Sequence, residues 1–369
     1  MSYSLLPLAS AELRRNMMTT TLQPFEFVQR ASQADVLVVT NMWPEPSRPA
    51  YGVFVKRQVD ALREAGLRCD VLYIRGYMSK TVYLRAALLF LRLTVSRKGR
   101  YRLVHVHGGE TALVARLFLV RPMVATYHGD DVLGYKRDDG PVSRGSRLRS
   151  LIIRHHAAFF SATVTQSAEM HDRLPSHVRR NDTIIHCGVD SERFSPMDRS
   201  DARRQLDWSD DERIALFAAT KPYEPRKRID LAEAAVKHAE ADLGPIRLAV
   251  AENRPPDSIP VMMNAADCLL LTSMAEGSPV VVKEALMCNL PVVATDVADI
   301  RETLADVLPS AVCSHDPSEL GAALVEVLSA NQRSNGRSKR SDQDHGNTVR
   351  RLLSLYADLG VTREAQPSG

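Results

Sequence analysis

The sequence predicts an open α/β protein of two domains, and three observations predict it. Apolar runs of strand length alternate with longer segments of helical spacing. The alternation stops in the polar, turn-rich stretch 188–213 and then restarts. At 369 residues the chain is also long enough for two cores. Apolar strands that alternate with helices form parallel sheets covered on both faces.

Residues 1–33 carry little periodicity and are expected to form a loose extension. DVLVVT (35–40) is the first strand. A Pro-rich loop, NMWPEPSRPAYG, leads into VFVKRQVDALREAG (53–66), a helical pattern that stops on Gly66. CDVLYI (69–74), LVHVHGG, MVATYHGDD, ATVTQS and TIIHCGVD follow as strands, with helices at 110–119 and 147–160. Ligands of such sheets bind beyond the carboxyl ends of the strands, which puts Gly52, His107, Gly108, His128, Gly129, Asp130 and Ser167 on one rim. After the candidate linker 188–213 come strands at 214–219, 246–250, 268–272 and 291–295, with helices at 229–241 and 279–288. NQRSNGRSKRSDQDHGN (331–347) reads as an exposed polar connection and 348–358 as a closing helix. The expected units are 34–190 and 191–345, preceded by 1–33 and followed by a closing helix and tail, 346–369.

The net charge of +4 excludes a strongly basic nucleic-acid binder and leaves room for a local basic patch. Five scattered cysteines without a C-x-x-C indicate neither a disulfide framework nor a zinc site, so a reducing cytoplasm is expected. The N-terminus lacks the basic start of a secretory signal, and no apolar run reaches the ~18 residues of a membrane span. Neither a dinucleotide-binding G-x-G-x-x-G nor a P-loop occurs. The D-x-D at Asp342–Asp344 lies in the polar connection, where it reads as solvation and not as a metal site.

AEGSPVVVKEAL (275–286) carries the chemistry. Ser278 suits an N-cap and Pro279 the first helical position. The N–H groups of Val280 and Val281 then point out of the helix end, a phosphate site that Gly277 leaves open to close approach. The helix is otherwise almost wholly apolar, and Glu284 has no base three or four positions away. Its carboxylate needs either a distant basic partner or a ligand. Glu276, before the helix, is favourable there even as a plain surface charge. The residues alone leave both readings of each acid open.

The stretch 267–302, with its E-x7-E and the following PVVATD, closely resembles the donor-site motif of retaining glycosyltransferases of family 4, which have the GT-B fold. PAYGVFVKRQVDALREAG, TYHGDDV, IIHCGVDSERFSP and KRIDLAEAA extend the resemblance over roughly 34–358, in the family's order. The resemblance implies two Rossmann-like domains facing a cleft and transfer of a sugar from a nucleotide diphosphate donor to a hydroxyl, with retention. It implies that Glu284 takes the ribose hydroxyls, Glu276 the sugar hydroxyls and Gly277–Val281 the diphosphate, and that Lys227 neutralises the leaving group. His128 would stand at the reaction centre, with Asp130 and Asp131 as weaker candidates, and Gly52 would admit the diphosphate to the backbone. The family's Gly-Arg pair is replaced here by Ala218-Ala219-Thr220-Lys221, so Lys221 or Arg226 stands in for the missing Arg, with altered geometry. No metal and no cofactor are expected.

Segment 80–102 joins an apolar helical run to seven Lys or Arg with no acid, as a helix lying on an anionic membrane does; a core helix with basic flanks has the same pattern. Membrane contact would suit a lipid-linked saccharide acceptor at the inner face of the cell membrane. Competing readings are a nucleotide-sugar epimerase or glycogen-type synthase on the same fold, and a catalytically idle nucleotide-binding subunit.

Overall fold

The computed structural model describes residues 23–361 apart from 30–33, 49–50, 97–100, 118–120, 135–141, 253 and 256. Most of the expected extension, part of the basic segment and the tail therefore lie outside the described residues. The first sheet contains β1 (Phe25–Gln29), β2 (Val36–Thr40), β3 (Cys69–Ile74), β4 (Leu103–His107), β5 (Met123–Thr126), β6 (Ala162–Thr165) and β7 (Asp182–Ile184), in the order β1-β3-β2-β4-β5-β6-β7. All its pairs are parallel except β1 with β3. Every residue of β2 is buried, as its unbroken apolar run requires of a strand covered on both faces.

The second sheet contains β8 (Arg213–Ala218), β9 (Ile246–Ala251), β10 (Cys268–Leu271), β11 (Val292–Thr295) and β12 (Ala311–Cys313), all parallel, in the order β12-β11-β10-β8-β9. In the first sheet the parallel part begins at β2, steps to β3 and then crosses to β4; in the second the chain begins at β8, steps to β9 and then crosses to β10. The switch points lie between β2 and β4 and between β8 and β10, where such sheets bind ligands.

Six helices position the site. Helix α1 (Val53–Glu64) buries Val55, Val59 and Leu62 on one face of the first sheet. Helices α2 (Thr81–Ser96), α3 (Gly109–Ala115) and α4 (Arg144–His156) cover its other face through Val82, Ala86, Phe90, Ala112, Ala115 and Ile153. Helix α5 (Val280–Met287) belongs to the second domain. Helix α6 (His345–Asp358) returns to the first, packing Val349, Leu352 and Tyr356 in the same cluster as α1.

Three sequence expectations are corrected. The segment expected to be loose supplies edge strand β1, FEFVQ, a short run easily overlooked beside an aperiodic stretch. The candidate linker holds a helix, Arg199–Leu206, capped by Asp198. Its polarity misleads because Arg203 is buried, bonded to Asp267 and to backbone carbonyls. The polar connection 331–347 is a tied strap. Arg337 donates to the carbonyls of Ser191, Phe194 and Met287, Arg333 to those of Met263, Ala266 and Cys288, and Ser334 is buried. Within it Asp344 caps α6, accepting from the N–H of Asn347. The two chain crossings between the domains pair with each other: Val189 bridges Asp344, its N–H donates to Gln343 and its carbonyl accepts from His345.

Candidate active site

A cavity of about 320 Å³ lies between the domains, beyond the carboxyl ends of both sheets. Val53, Phe54 and Arg57 of α1 form one wall. The residues after β8, Ala219 and Thr220, and the start of α5 form the opposite one. Lys227, Glu276, Pro279, Val280, Val281 and Glu284, six of the residues picked from sequence, line this single space. Four cations, Arg57, Arg193, Lys227 and Arg254, face two carboxylates there.

Helix α5 begins at Val280, so the N–H groups of Val280 and Val281 have no carbonyl four residues back to bond and open toward the cavity. Pro279 holds the N-cap position, and the expected Ser278 cap is not formed. Ser278 is drawn inward instead. Its hydroxyl accepts from Lys283 Nζ and donates to Asp299 Oδ2, each at 2.6 Å. Lys283 is fully buried, with Asp299 at 3.4 Å, and His186 Nδ1 stands 3.6 Å from the same carboxylate. This charged knot underlies the turn that carries Glu276 and Gly277.

Glu284 finds its distant partner in the other domain: Arg57 Nη1 of α1 lies 3.6 Å from its carboxylate. Burial among apolar neighbours pushes Glu284 up to about 7, and Arg57 and Arg193 offset only part of that. Lys227 Nζ donates to Glu276 Oε1 at 2.5 Å. The turn holding Lys227 is fixed from β10, since Thr272 Oγ1 donates to the carbonyls of Lys227 and Arg228 and the N–H of Met274 to that of Arg226.

The proposed substitutes for the missing family arginine are not in the cavity. Lys221 is exposed and does not line the cavity. Arg226 turns to Asp130 of the first domain at 3.9 Å and to Glu224 at 3.4 Å. Gly52 does not line the cavity either. It is left-handed, with φ +73°, and a Cβ there would lie 2.3 Å from the carbonyl carbon of Met42, so the close approach it permits is to its own chain. Gly277 meets Gly129 of the first domain, and a Cβ on either would stand 2.7 Å from the other's Cα.

His128 lines a second cavity, of about 440 Å³, with Asn41, Tyr51, Glu110, Asp130 and Arg149. Its ring centroid is 5.0 Å from that of Phe54, which faces the first cavity, so this ring pair stands between the two spaces. Gln166 Nε2 lies 2.8 Å from His128 Nδ1, and His107 Nδ1 lies 3.3 Å from Nε2. With the amide donating to Nδ1, the ring's proton sits on Nε2. Burial lowers His128 to about 4, so it is neutral near pH 7. Asp131 serves the turn, accepting from the N–H of His128 at 3.0 Å.

Arg57, Arg193, Phe54 and Gln166, with Arg254, are among the site residues that the sequence did not single out. The first three lie within motifs read for their helical spacing or their turns, and nothing local distinguishes them from surface and core positions. Among the described residues no group of three or more His, Cys, Asp or Glu is placed to hold a metal, and no helix is long and apolar enough to cross a membrane.

Comparison with known proteins extends this picture. The model of Glycosyltransferase Family 4 matches residues 26–193, and that of Glycosyl transferases group 1 matches residues 220–330. The chain is 22% identical to the Bacillus subtilis protein assigned as teichuronic acid biosynthesis glycosyltransferase TuaC, over 72% of this chain and 82% of that one. It is 27% identical to the D-inositol 3-phosphate glycosyltransferase of Mycobacterium marinum, over 70% of this chain and 64% of that one, slightly under two thirds of the relative's length. Among solved structures, sucrose-phosphate synthase from Thermosynechococcus elongatus superposes with a TM-score of 0.73 at 17% identity, covering 88% of this chain and 99% of that one. Anabaena HepE, solved in complex with UDP-glucose, gives 0.65 at 15% identity, covering 88% of this chain and 100% of that one. At these identities the structures speak for the fold.

Proposed function

We propose, from the premise that this chain belongs to the GT-B glycosyltransferases and carries a family 4 first domain, that its interdomain cavity holds a nucleotide diphosphate sugar and passes the sugar to a hydroxyl with retention. One observation carries the reading: Lys227, Glu276, Glu284 and the open end of α5 share a single cavity in which four cations face two carboxylates. The surplus of positive charge suits a diphosphate, and the α5 N–H groups add to it.

In this reading Glu284 accepts from the ribose hydroxyls and Glu276 from those of the sugar. Lys227 turns from Glu276 toward the diphosphate, whose charge grows as the sugar departs. Arg57 and Arg193 supply the positive charge that was assigned from sequence to Lys221 or Arg226. Neutral His128 stands at the boundary with the second cavity, where Glu110 and Asp130 offer carboxylates to the hydroxyls of an acceptor. The reading asks for no metal. The acceptor proposed is a saccharide or lipid-linked saccharide of cell-surface polysaccharide synthesis, at the inner face of the membrane; the likeness to TuaC supports that class.

The test is a thermal-shift screen of nucleoside diphosphates, starting with UDP because HepE was solved with UDP-glucose. Turnover of the matching sugar donors on a membrane extract follows, with the product's anomeric configuration read by NMR. A rise in melting temperature, with turnover lost in Glu284→Ala and in Lys227→Ala, is expected. A rise without turnover would make the chain an idle binder, and full activity in both variants would sink the site assignment.

A further inference from the structure

We propose that the outer face of the α2–α3–α4 layer is a docking surface for an anionic lipid bilayer, built from two helices and not from segment 80–102 alone. A helix that covers a sheet ordinarily hides one apolar stripe and turns polar residues outward. Helix α2 hides Val82, Ala86 and Phe90 and also presents Leu84, Leu88 and Leu91 to solvent as a second stripe, Leu84 being 69% exposed. Helix α4 repeats the pattern: Ile153 is buried, whereas Leu148, Leu151 and Ile152 are exposed, followed by Phe159 at 56% exposure.

The two stripes belong to one face. Helix α3 packs against both α2 and α4. Thr94 Oγ1 donates to the carbonyl of Leu117 just past α3, and Arg121 Nη1 to that of Phe159, which ties the far ends together. Of the thirteen exposed large apolar side chains among the described residues, eight lie on this layer or on the turns just past its helices, too many to be the singly scattered leucines of an ordinary surface.

Charge identifies the occupant. Segments 71–109, 111–129 and 142–168 contain no Asp or Glu. The acid between the first two, Glu110, is taken up by Lys80 at 3.0 Å and Arg149 at 3.3 Å. Arg85, Arg144 and Arg147 are exposed beside the leucines. The intervening segment 130–141 carries Asp130, Asp131, Asp138 and Asp139, but helices α2 and α4, which bear the stripes, contain no acid. Acid-free apolar stripes flanked by cations match a bilayer with anionic headgroups. A single-stranded nucleic acid would ask for stacking rings, and Phe159 is the one aromatic among those eight side chains. The second cavity opens between the N-terminal ends of these helices, lined by Lys80 just before α2 and by Ser146 and Arg149 on α4. A protein lying on this face holds that cavity at the lipid surface. Only this last consequence rests on the lipid-linked acceptor proposed above; docking itself is read without turnover, so the two proposals fail separately.

The experiment is co-sedimentation of the full chain with phosphatidylcholine vesicles and with vesicles of equal parts phosphatidylcholine and phosphatidylglycerol. The wild type is expected to pellet with the anionic vesicles and to be released by high salt. Leu84→Asp/Leu88→Asp on α2 and Leu148→Asp/Leu151→Asp on α4 are each expected to weaken binding about tenfold or more. These side chains are exposed, so melting temperature and its shift by nucleotide should stay at wild-type values in both variants. Pelleting with neither vesicle, or a loss confined to one helix's variant, overturns the proposal. So does polyuridylate binding as tightly as the vesicles and unaffected by either variant, which would assign the face to nucleic acid.

Discussion

Gly129 and Gly277 stand back to back across the domain boundary, each so close to the other that neither has room for a Cβ. The loop that carries His128 and the loop that carries Glu276 are thereby held at backbone contact. Gly129 also has φ +40°, whereas Gly277 lies outside the left-handed region, so Gly277→Ala tests the space alone. We expect this variant to melt within a few degrees of wild type and to lose about 10²-fold in turnover, because a shift of the order of 1 Å between reacting partners costs that much. Melting curves and steady-state kinetics on the same samples check it; unchanged turnover would mean that the loops need not meet.

Glu284 gives a pH dependence with a definite sign. Its carboxyl, ordinarily near 4.5, is raised by burial to about 7, so the folded chain holds a proton that the unfolded chain has released. Its contribution to stability therefore falls as pH rises from about 4.5 to about 7. In the role proposed for Glu284 donor binding runs the other way, since ribose hydroxyls need an ionised acceptor: KM for the donor should fall as pH rises through about 7. Glu284→Gln should raise KM and remove this dependence, and Arg57→Met should move it to higher pH. A KM profile of the same shape in Glu284→Gln would assign the titration elsewhere.

Lys227→Met should lower kcat by roughly 10²–10³-fold, the range seen when a preorganised group that stabilises developing charge is removed. Donor KM should change much less. Single-turnover measurements at saturating donor separate the two, and a variant impaired only in KM would make Lys227 a binding residue.

The knot beneath the turn predicts a stability effect. Lys283→Met keeps the shape of the side chain and strands the buried carboxylate of Asp299, which should cost about 3–5 kcal/mol in urea unfolding. Lys283→Met/Asp299→Leu should recover a large part of that loss. Equal destabilisation in the single and double variants would show that packing, not charge pairing, holds the turn.

The sheets were legible because β2, β3, β8 and β10 are apolar runs that can be buried only on both faces, and the E-x7-E spacing with its Ser-Pro start located the helix that opens on the interdomain cavity. The partner of Glu284 was not legible: Arg57 is far away in sequence, and only the closing of one domain on the other brings it near. Ser278 was misread because an N-cap and a buried hydroxyl between Lys283 and Asp299 look alike in one dimension. The strap at 331–347 was misread because its arginines reach inward to backbone carbonyls, so that polarity there signals burial. Helix α4 was seen as a helix, but its exposed face appears only once Ile153 is known to point into the core.

The pairing of Val189 with Asp344 has a mechanical consequence. A single tether would let the two halves swivel freely about it. These two run side by side and are bonded to one another, so the pair resists the swivel and the sliding that unbonded tethers would permit. Opening of the cleft is then expected as a bend about this paired segment. A bend of that kind would return Arg57 to Glu284 and Gly129 to Gly277 each time the cleft closes.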